Sequence, residues 1–145
     1  MGRKFGRFTE IQDMILVDTT VWIDFFNGIP TPQVNRLVEF IKKKEGICII
    51  GIILTEVLQG IKEDKEFEEV KSLLTELPIY EPKGIQTYFR AAQIYRKCRK
   101  EGYTLRKTID CVIAAIAIEN DFALLHNDKD FDLIAKCVEL KIVND

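Results

Sequence analysis

Short apolar runs alternate along this chain with longer segments of helical periodicity. Nearly uninterrupted apolar runs, which are typical of buried parallel strands, lie at residues 14–17, 46–50 and 122–125. Apolar and polar residues alternate over 138–143, which predicts a last strand at an edge of the sheet. Because the predicted strands alternate with helices, the pattern favours an α/β fold, a three-layer sandwich around a mostly parallel central sheet.

Helical periodicity fills most of the intervening sequence. The predicted helices cover 21–26, 32–44, 53–61, 64–77, 84–101, 109–120 and 131–136. Thr31–Pro32 opens the second helix with proline in its first turn, and Thr108 is expected to cap the helix 109–120. That helix is apolar almost all round and is therefore expected to be buried. The helix 84–101 is expected to face the core with Ile85, Tyr88, Phe89, Ala92 and Tyr95.

Length and composition indicate a single globular domain. The chain has 145 residues, of which 47% are hydrophobic and 30% are charged, a composition that excludes disordered, collagen-like and disulfide-dense proteins. Residues 14–145 are expected to form one domain, with 1–13 as a poorly ordered or peripheral extension. The longest nearly uncharged run, 48–55, is much shorter than the ~20 apolar residues that span a bilayer. The charged start also lacks the apolar core of a signal peptide, so no membrane role is expected.

Charge and cysteine content restrict the candidate functions further. The net charge is −2 and the pI is about 5.6, so no global positive field attracts nucleic acid, and such a contact needs a local basic patch or a metal. The four cysteines form no CxxC motif and the chain has one histidine, His126, which disfavours a structural zinc site. Reduced thiols are typical of the cytoplasm, which is the expected location. His126 ends a predicted strand, where a structural role and a substrate contact both remain open.

Acidic residues follow the predicted strands. Asp18 comes directly after the first strand, Glu56 lies one helical turn beyond the second, and Asp128 and Asp130 follow the third. Asp110 opens the buried helix. Since ligands of an open parallel sheet bind beyond the carboxyl ends of its strands, these carboxylates are expected to converge. Converging carboxylates repel one another unless cations bind them, and hard oxygen ligands suit Mg²⁺ or Mn²⁺.

Each acid also has a simpler explanation. Asp18 and Asp110 suit the N-termini of helices, where a carboxylate caps the backbone or complements the helix dipole. Asp128 suits a turn, and Glu56 suits a solvent-facing position on a helix. The convergence of all of them on one edge of the sheet favours the metal site.

Four sequence blocks that contain these acids resemble the motifs of the PIN domain family. They read VDTTVWID at 17–24, LTEVLQG at 54–60, DCVIAA at 110–115 and LHNDKDF at 125–131. Within that family the chain is most similar to toxins of VapBC-type toxin–antitoxin pairs. The blocks follow the order and spacing of the family over residues 14–143, whereas 1–13 precede the usual start of its members.

The resemblance implies a Mg²⁺- or Mn²⁺-dependent endoribonuclease that hydrolyses RNA phosphodiester bonds. Matching positions identify Asp18, Glu56, Asp110 and Asp128 as catalytic, metal-binding acids, with Asp130 as a further metal ligand. Metal ions in such sites activate water and neutralise the phosphate. Contacts to the substrate are expected from polar and basic residues near these acids, namely Thr19, Thr20, Arg106, Lys107 and Asn127.

The resemblance also implies protein partners. A toxin of this kind is inhibited by a small cognate antitoxin, whose basic C-terminal segment is expected to neutralise the acids through charge-assisted contacts. A homodimer is expected as well. Apolar residues of the first two helices offer either core packing or a groove for an amphipathic partner helix, namely Trp22, Phe25, Phe26, Val34, Leu37, Val38 and Ile41.

Other functions fit the residues less well. A phosphatase of the HAD type needs an Asp-x-Asp pair where this chain has Asp18-Thr19-Thr20, and a receiver domain needs an acidic pair beside its first strand. The sequence contains no glycine-rich phosphate loop. The remaining alternatives are a PIN-like nuclease of RNA processing outside a toxin–antitoxin system and a catalytically silent RNA- or protein-binding module.

Overall fold

The computed structural model describes residues 14–144, which form a parallel five-stranded sheet flanked by helices. The strands, in chain order, are β1 Ile15–Val17, β2 Ile47–Ile50, β3 Ile79–Tyr80, β4 Ala123–Leu125 and β5 Lys141–Ile142. Their order in the sheet is β3-β2-β1-β4-β5, and every neighbouring pair is parallel. The predicted α/β fold around a parallel sheet is therefore confirmed. The extension predicted at 1–13 lies outside the described residues.

Seven helices connect the strands within the described range. They are α1 Thr19–Phe26, α2 Pro32–Lys42, α3 Gly51–Gln59, α4 Asp64–Leu74, α5 Ile85–Lys100, α6 Thr108–Asn120 and α7 Lys129–Cys137. Each predicted helix is present, with ends that differ by a few residues. The last strand lies at an edge of the sheet, as predicted, although it is shorter than the alternation of 138–143 indicated. No helix in residues 14–144 combines the length and the apolar character needed to cross a membrane.

Local chemistry explains where these helices begin. Thr31 caps α2 by accepting a hydrogen bond from the Val34 N–H at 3.0 Å, and Pro32 occupies the first turn as predicted. The prediction that Thr108 caps α6 is wrong by one residue. Lys107 holds the cap position in extended backbone, and Thr108 is already helical.

The prediction for the inward face of α5 is wrong. Ile85, Tyr88 and Phe89 are 62%, 50% and 55% exposed, and Ala92 is exposed too, while Tyr95 is half-buried. The buried residues of α5 are instead Thr87, Ala91, Ile94 and Cys98. These mostly small side chains allow α5 to pack closely against α6, its main neighbour. Sequence periodicity favoured the larger apolar residues, whereas close helix packing selected the smaller ones.

The helix α6 lies in the core, as its apolar sequence predicted. Its buried residues include Cys111, Ala114, Ala115 and Ala117, each with no exposed surface. All four cysteines of the chain are buried free thiols. A helix enclosed in this way has a fixed position, so the side chains of its first turn are held in place relative to the sheet.

The carboxyl ends of the three central strands, β2, β1 and β4, lie side by side and form one edge of the sheet, distinct from the lateral edges that the outermost strands β3 and β5 form. Val17 of β1 pairs with Leu125 of β4, and the Asp18 N–H donates a hydrogen bond to the Leu125 carbonyl at 2.9 Å. The other neighbour of β1 is β2, which ends at Ile50. Parallel pairing therefore brings the residues that follow β1, β2 and β4 to one side of the molecule, as the sequence predicted.

Candidate functional site

Three carboxylates form a tight cluster at this edge. Asp110 lies in the first turn of α6, while Asp128 precedes α7 and Asp130 lies in its first turn. Each offers one carboxylate oxygen, and these oxygens lie within 4.8 Å of one another. Asp110 and Asp130 are buried, with 2% and 3% of their surface exposed. The N-termini of two helices thus meet at one acidic point, where both helix dipoles favour negative charge.

Asp18 and Glu56 lie beside this cluster. Asp18 occupies the N-cap position of α1, yet its side chain makes no capping hydrogen bond, so helix capping does not explain this acid. Asp18 is buried and close enough to Glu56 and Asp128 for both to raise its pKa. Glu56 is half-buried and accepts a hydrogen bond from the Thr19 hydroxyl at 2.6 Å. The predicted acids therefore share one neighbourhood, with Asp110, Asp128 and Asp130 as its most compact part.

Burial makes two of these acids unusually weak. Desolvation raises the pKa of Asp110 to about 7, with Lys107 opposing the rise and repulsion from Asp128 and Asp18 adding to it. Desolvation also raises the pKa of Asp18 to about 6, against the opposing effects of the Thr19 N–H and Lys107. These two carboxyls therefore keep their protons at higher pH than ordinary aspartates do. A bound cation would favour loss of the protons, because it stabilises the charged carboxylates.

Arg106 and Lys107, in the loop before α6, place two cations against the cluster. The Arg106 guanidinium donates from Nη2 to Asp128 Oδ1 at 3.0 Å and from Nε to Asp130 Oδ2 at 3.3 Å. Lys107 Nζ lies 3.5 Å from Asp128 Oδ2 and 3.9 Å from Asp110 Oδ1. Burial acts to raise the pKa of Asp128, but the Asp130 N–H and these two cations outweigh it and hold that pKa below its usual value. Both cationic side chains are more than half exposed and remain accessible to an anionic ligand.

Asp110 leaves one carboxylate oxygen without a partner. Its Oδ2 is buried and accepts no hydrogen bond from any residue in the described part of the chain. A buried oxygen in this state carries a desolvation cost that direct coordination of a cation removes. The donors around it are carboxylate oxygens, which suit Mg²⁺ or Mn²⁺. The side chains at this point therefore fit a hard divalent cation, held by Asp110, Asp128 and Asp130 with Asp18 beside them.

A cleft of about 610 Å³ opens beside Asp128. Arg106 and Asn127 lie on its wall, together with polar side chains that the sequence analysis did not identify, namely Gln33 and Asn144. Nothing in their local sequence marks them, because α2 and the C-terminal segment line the same cleft as Asp128 only in the folded chain. Asn127 is exposed, as a contact with substrate requires.

The two threonines predicted to contact substrate lie on the first turn of α1 and differ in their surroundings. Thr20 is exposed, which leaves its side chain accessible to a ligand. Thr19 is half-buried and directs its hydroxyl to Glu56. The structure therefore gives Thr19 a role in positioning Glu56 that the sequence did not reveal.

The apolar residues of α1 and α2 divide between the core and the surface. Trp22, Val34 and Leu37 are buried in the core, whereas Phe25 and Phe26 are half-buried and Ile41 is 45% exposed. A pocket of about 260 Å³ lies at the C-terminal end of α1, lined in part by Ile23, Phe26, Val57 and Ile61. Most apolar residues of α2 fill the core, and none of them lines this pocket, so the groove predicted along both helices for a partner stays a prediction.

Comparison with known sequences gives this geometry a family context. The sequence profile described as "PIN domain" matches residues 15–136. The protein named VapC ribonuclease Mb1587, from Mycobacterium bovis, is 34% identical over 131 residues, which cover 88% of this chain and 96% of that protein. Ribonuclease VapC51 from Mycobacterium tuberculosis is 29% identical over 120 residues, which cover 83% of this chain and 84% of that protein.

Solved structures share the fold. VapBC2 from Rickettsia felis, bound to a promoter DNA fragment, contains a chain that matches with a TM-score of 0.71 and 21% identity, covering 90% of this chain and 98% of that one. VapBC-1 from nontypeable Haemophilus influenzae contains a chain that matches with a TM-score of 0.67 and 20% identity, covering 90% and 97%. At these identities the likeness establishes the fold alone.

Proposed function

This chain belongs to the PIN domain family, and we propose that it is a metal-dependent endoribonuclease, the toxin of a VapBC-type toxin–antitoxin pair. The observation that carries the proposal is the compact group of Asp110, Asp128 and Asp130, in which the buried Asp110 Oδ2 has no hydrogen-bond partner in residues 14–144. Such a group suits the binding of a divalent cation and a phosphodiester near it.

The acids are proposed to hold Mg²⁺ or Mn²⁺. The proposed ligands, direct or through water, are Asp18, Glu56, Asp110, Asp128 and Asp130. When bound, the ion supplies an activated water and neutralises charge on the phosphate. The chain contributes by fixing the ligands: α6 is enclosed in the core and carries Asp110, and the Thr19 hydroxyl holds Glu56.

Arg106 and Lys107 are proposed to contact the RNA backbone. Both reach the acids and remain more than half exposed, so a phosphate entering the site can replace carboxylates as their partner. The exposed Asn127 and Thr20 are proposed as further contacts to the substrate. With a net charge of −2, the attraction for RNA is expected to be local to this loop and cleft.

Replacement of Asp110 by Asn tests the nuclease proposal. Asn preserves the size of the side chain and removes the charge that a cation needs. We expect the loss of several kcal/mol of transition-state stabilisation, which lowers the cleavage rate by at least about 100-fold. The measurement is Mg²⁺- and Mn²⁺-dependent cleavage of a labelled RNA pool by the purified protein, with a chelator as blank. Circular dichroism checks that the variant is folded.

Asp64→Asn is the matched control, because it makes the same substitution at an exposed position in α4. It should leave the rate unchanged. A folded Asp110→Asn protein that cleaves RNA at the wild-type rate would show that the site is assigned to the wrong residues. If the wild-type protein cleaves no RNA with either metal, a catalytically silent binding module becomes the better explanation.

Two protein contacts are proposed with this activity. A small antitoxin with a basic C-terminal segment neutralises the acids, and an apolar side chain of its helix occupies the pocket at Phe26. A second copy of the chain packs on the exposed apolar face of α5.

The proposed location is the cytoplasm, where RNA is present and where buried free thiols such as these stay reduced.

A further inference from the structure

His126 lies between β4 and the acids and makes contacts that no role in metal or RNA binding accounts for. Its side chain is buried, with 8% of its surface exposed. Nδ1 accepts a hydrogen bond from the Asp128 backbone N–H at 3.0 Å, and Nε2 lies 3.3 Å from Asp132 Oδ1. The imidazole therefore joins both ends of the segment that carries Asp128 and Asp130.

These contacts define the form of the imidazole. A nitrogen that accepts a hydrogen bond from a backbone N–H carries no proton of its own, so Nδ1 is the acceptor. The proton of the neutral ring is then on Nε2, which faces the Asp132 carboxylate at 3.3 Å. The Phe131 ring packs against the imidazole, with centroids 5.2 Å apart and planes at 57°. One hydrogen bond at Nδ1, the Asp132 contact at Nε2 and the ring contact with Phe131 together hold the orientation of His126.

The Asp128 main chain is fixed by this arrangement. Its N–H is bound to His126, and its Oδ1 accepts a hydrogen bond from the Asp130 N–H at 2.9 Å. The direction of the Asp128 carboxylate depends on where its backbone is held, and the same turn places Asp130 against Arg106. A shift of the turn would therefore move two of the three clustered carboxylates together.

We propose that His126 is a positioning residue of the acidic site, which sets the Asp128 and Asp130 carboxylates for metal binding through the hydrogen bond from the Asp128 N–H to Nδ1. The inference rests on the proposed function and concerns the same site. His126 touches neither metal nor RNA in this role. Partners of this kind around metal ligands typically change metal affinity by about 10–100-fold when they are removed.

Two substitutions separate the roles of the imidazole nitrogens. His126→Asn keeps an acceptor, the amide oxygen, near the position of Nδ1. His126→Gln places its amide near the position of Nε2 and leaves the Asp128 N–H without an acceptor. Both variants lose the ring contact with Phe131, so they match each other in lost packing and differ in the hydrogen bond under test.

The readouts are Mn²⁺ affinity, from the electron paramagnetic resonance signal of free Mn²⁺, together with kcat and KM for RNA and the melting temperature without metal. We expect His126→Asn to bind Mn²⁺ within about threefold of the wild type, and His126→Gln to lose about 10–100-fold in affinity with a matching fall in kcat. The two variants should melt at similar temperatures. If both lose affinity equally, or neither does, the role assigned to Nδ1 is overturned.

Nitrogen-15 NMR of the wild-type imidazole tests the same contact without any variant. We expect the metal-free protein to show Nε2 protonated and Nδ1 unprotonated, whereas a proton on Nδ1 overturns the inference. Failure of the proposed function gives a different result. A wild-type protein that binds no Mn²⁺ overturns the metal site and this role with it, while a Mn²⁺-binding wild type with two equivalent variants overturns only the role of His126.

Discussion

The chemistry of Asp110 in the folded protein differs from what its place in the sequence suggests. In the sequence it is an acid in the first turn of a helix, a position that the helix dipole favours. In the structure it is 2% exposed, beside other acids, and its pKa is about 7. The desolvation cost therefore exceeds the benefit from the dipole and from Lys107, and in the metal-free protein this carboxyl is partly protonated near neutral pH.

The stability of the metal-free protein should depend on pH through Asp110 and Asp18. The folded-state pKa values, about 7 and about 6, lie above the value of 3.8 for an ordinary aspartate. Between pH 4 and 7 the native state therefore binds more protons than the unfolded state, and these groups lower the free energy of unfolding as pH rises. This loss of stability is absent below the aspartate pKa of the unfolded chain, because both carboxyls are then protonated in the folded and the unfolded state. It is complete above the pKa values of the folded state, where both carboxyls are charged.

Asp110→Asn should prevent most of this loss of stability. At pH 8 in chelator we expect the variant to exceed the wild type in stability by at least about 1 kcal/mol, or roughly 4 °C in melting temperature for a domain of this size. Near pH 4 the difference should disappear. Thermal unfolding at both pH values is the measurement. A variant that is less stable than the wild type at both pH values contradicts the assigned cause.

Thermal unfolding with Mn²⁺ tests the same carboxylates as metal ligands. Millimolar Mn²⁺ should stabilise the wild type more at pH 8 than at pH 5, because binding requires the charged carboxylates.

At the scale of elements, α3 shows how a helix start depends on a distant strand. Its first residue is Gly51, and the N–H of Gly51 donates to Glu81 Oε1 at 3.2 Å, just after β3. A Cβ at this position would lie 2.6 Å from the same oxygen. The glycine after β2 therefore permits the close approach of Glu81, which supplies a hydrogen-bond acceptor that the chain next to α3 does not provide.

The helix α5 presents two apolar faces, and only one of them is buried within the described chain. Thr87, Ala91 and Cys98 are buried, while Ile85, Tyr88 and Phe89 form the exposed apolar face. A groove of about 430 Å³ adjoins Tyr88, lined in part by Ile52, Ile109 and Val112. Adjoining apolar surfaces of this kind favour self-association, most simply as a symmetric pair.

Phe89→Lys should weaken the proposed homodimer. The position is 55% exposed, so the fold tolerates lysine there, but a dimer interface would have to bury its charge. We expect light scattering after size exclusion to give about twice the chain mass of 16.8 kDa for the wild type and the monomer mass for the variant at the same concentration. Leu73→Lys is the matched control, because it places the same charge at an apolar residue of α4 that is equally exposed, at 56%, and lies outside the apolar face of α5; this variant should remain dimeric. If all three proteins have the dimer mass, the contact lies elsewhere on the molecule. If all three have the monomer mass, the homodimer is excluded.

At the scale of the whole molecule, charge is distributed unevenly. The net charge is only −2, yet the acids that follow β1, lie in α3 and α6, and lie at the start of α7 converge at one edge of the sheet. Arg106 and Lys107 offset part of that charge. An inhibitor that reaches this edge therefore gains by placing cations against the acids, which is the chemistry proposed for the antitoxin.

Co-expression with the product of the neighbouring small open reading frame tests that partner. We expect the chain alone to arrest growth, and the pair to restore growth and co-purify. Asp110→Asn provides the control, since the inactive variant should be harmless alone yet still bind the partner through the pocket at Phe26. If the active chain leaves growth unaffected and the small protein does not co-purify, the toxin role is excluded. A role as a nuclease of RNA processing would then remain possible.

The sequence by itself determined the fold class and the family. Apolar runs separated by helical periodicity specify a parallel α/β sheet, because each strand needs a crossover connection before the next. The motif blocks with Asp18, Glu56, Asp110 and Asp128 predicted the PIN domain family, which is confirmed over residues 15–136. Parallel strands that end at one edge bring their following residues together, so the convergence of the acids was also predictable.

Tertiary structure alone decided which contacts these residues make. Hydrophobic periodicity ranks helix faces by apolar content, so it could not predict that the small residues of α5 would pack against α6 while Ile85 and Phe89 stayed exposed. The pairing of Arg106 with Asp128 and Asp130 joins positions more than twenty residues apart. Burial, which sets the pKa of Asp110, depends on every element packed around it. Such distances and environments are properties of the packed chain, and local sequence carries no record of them.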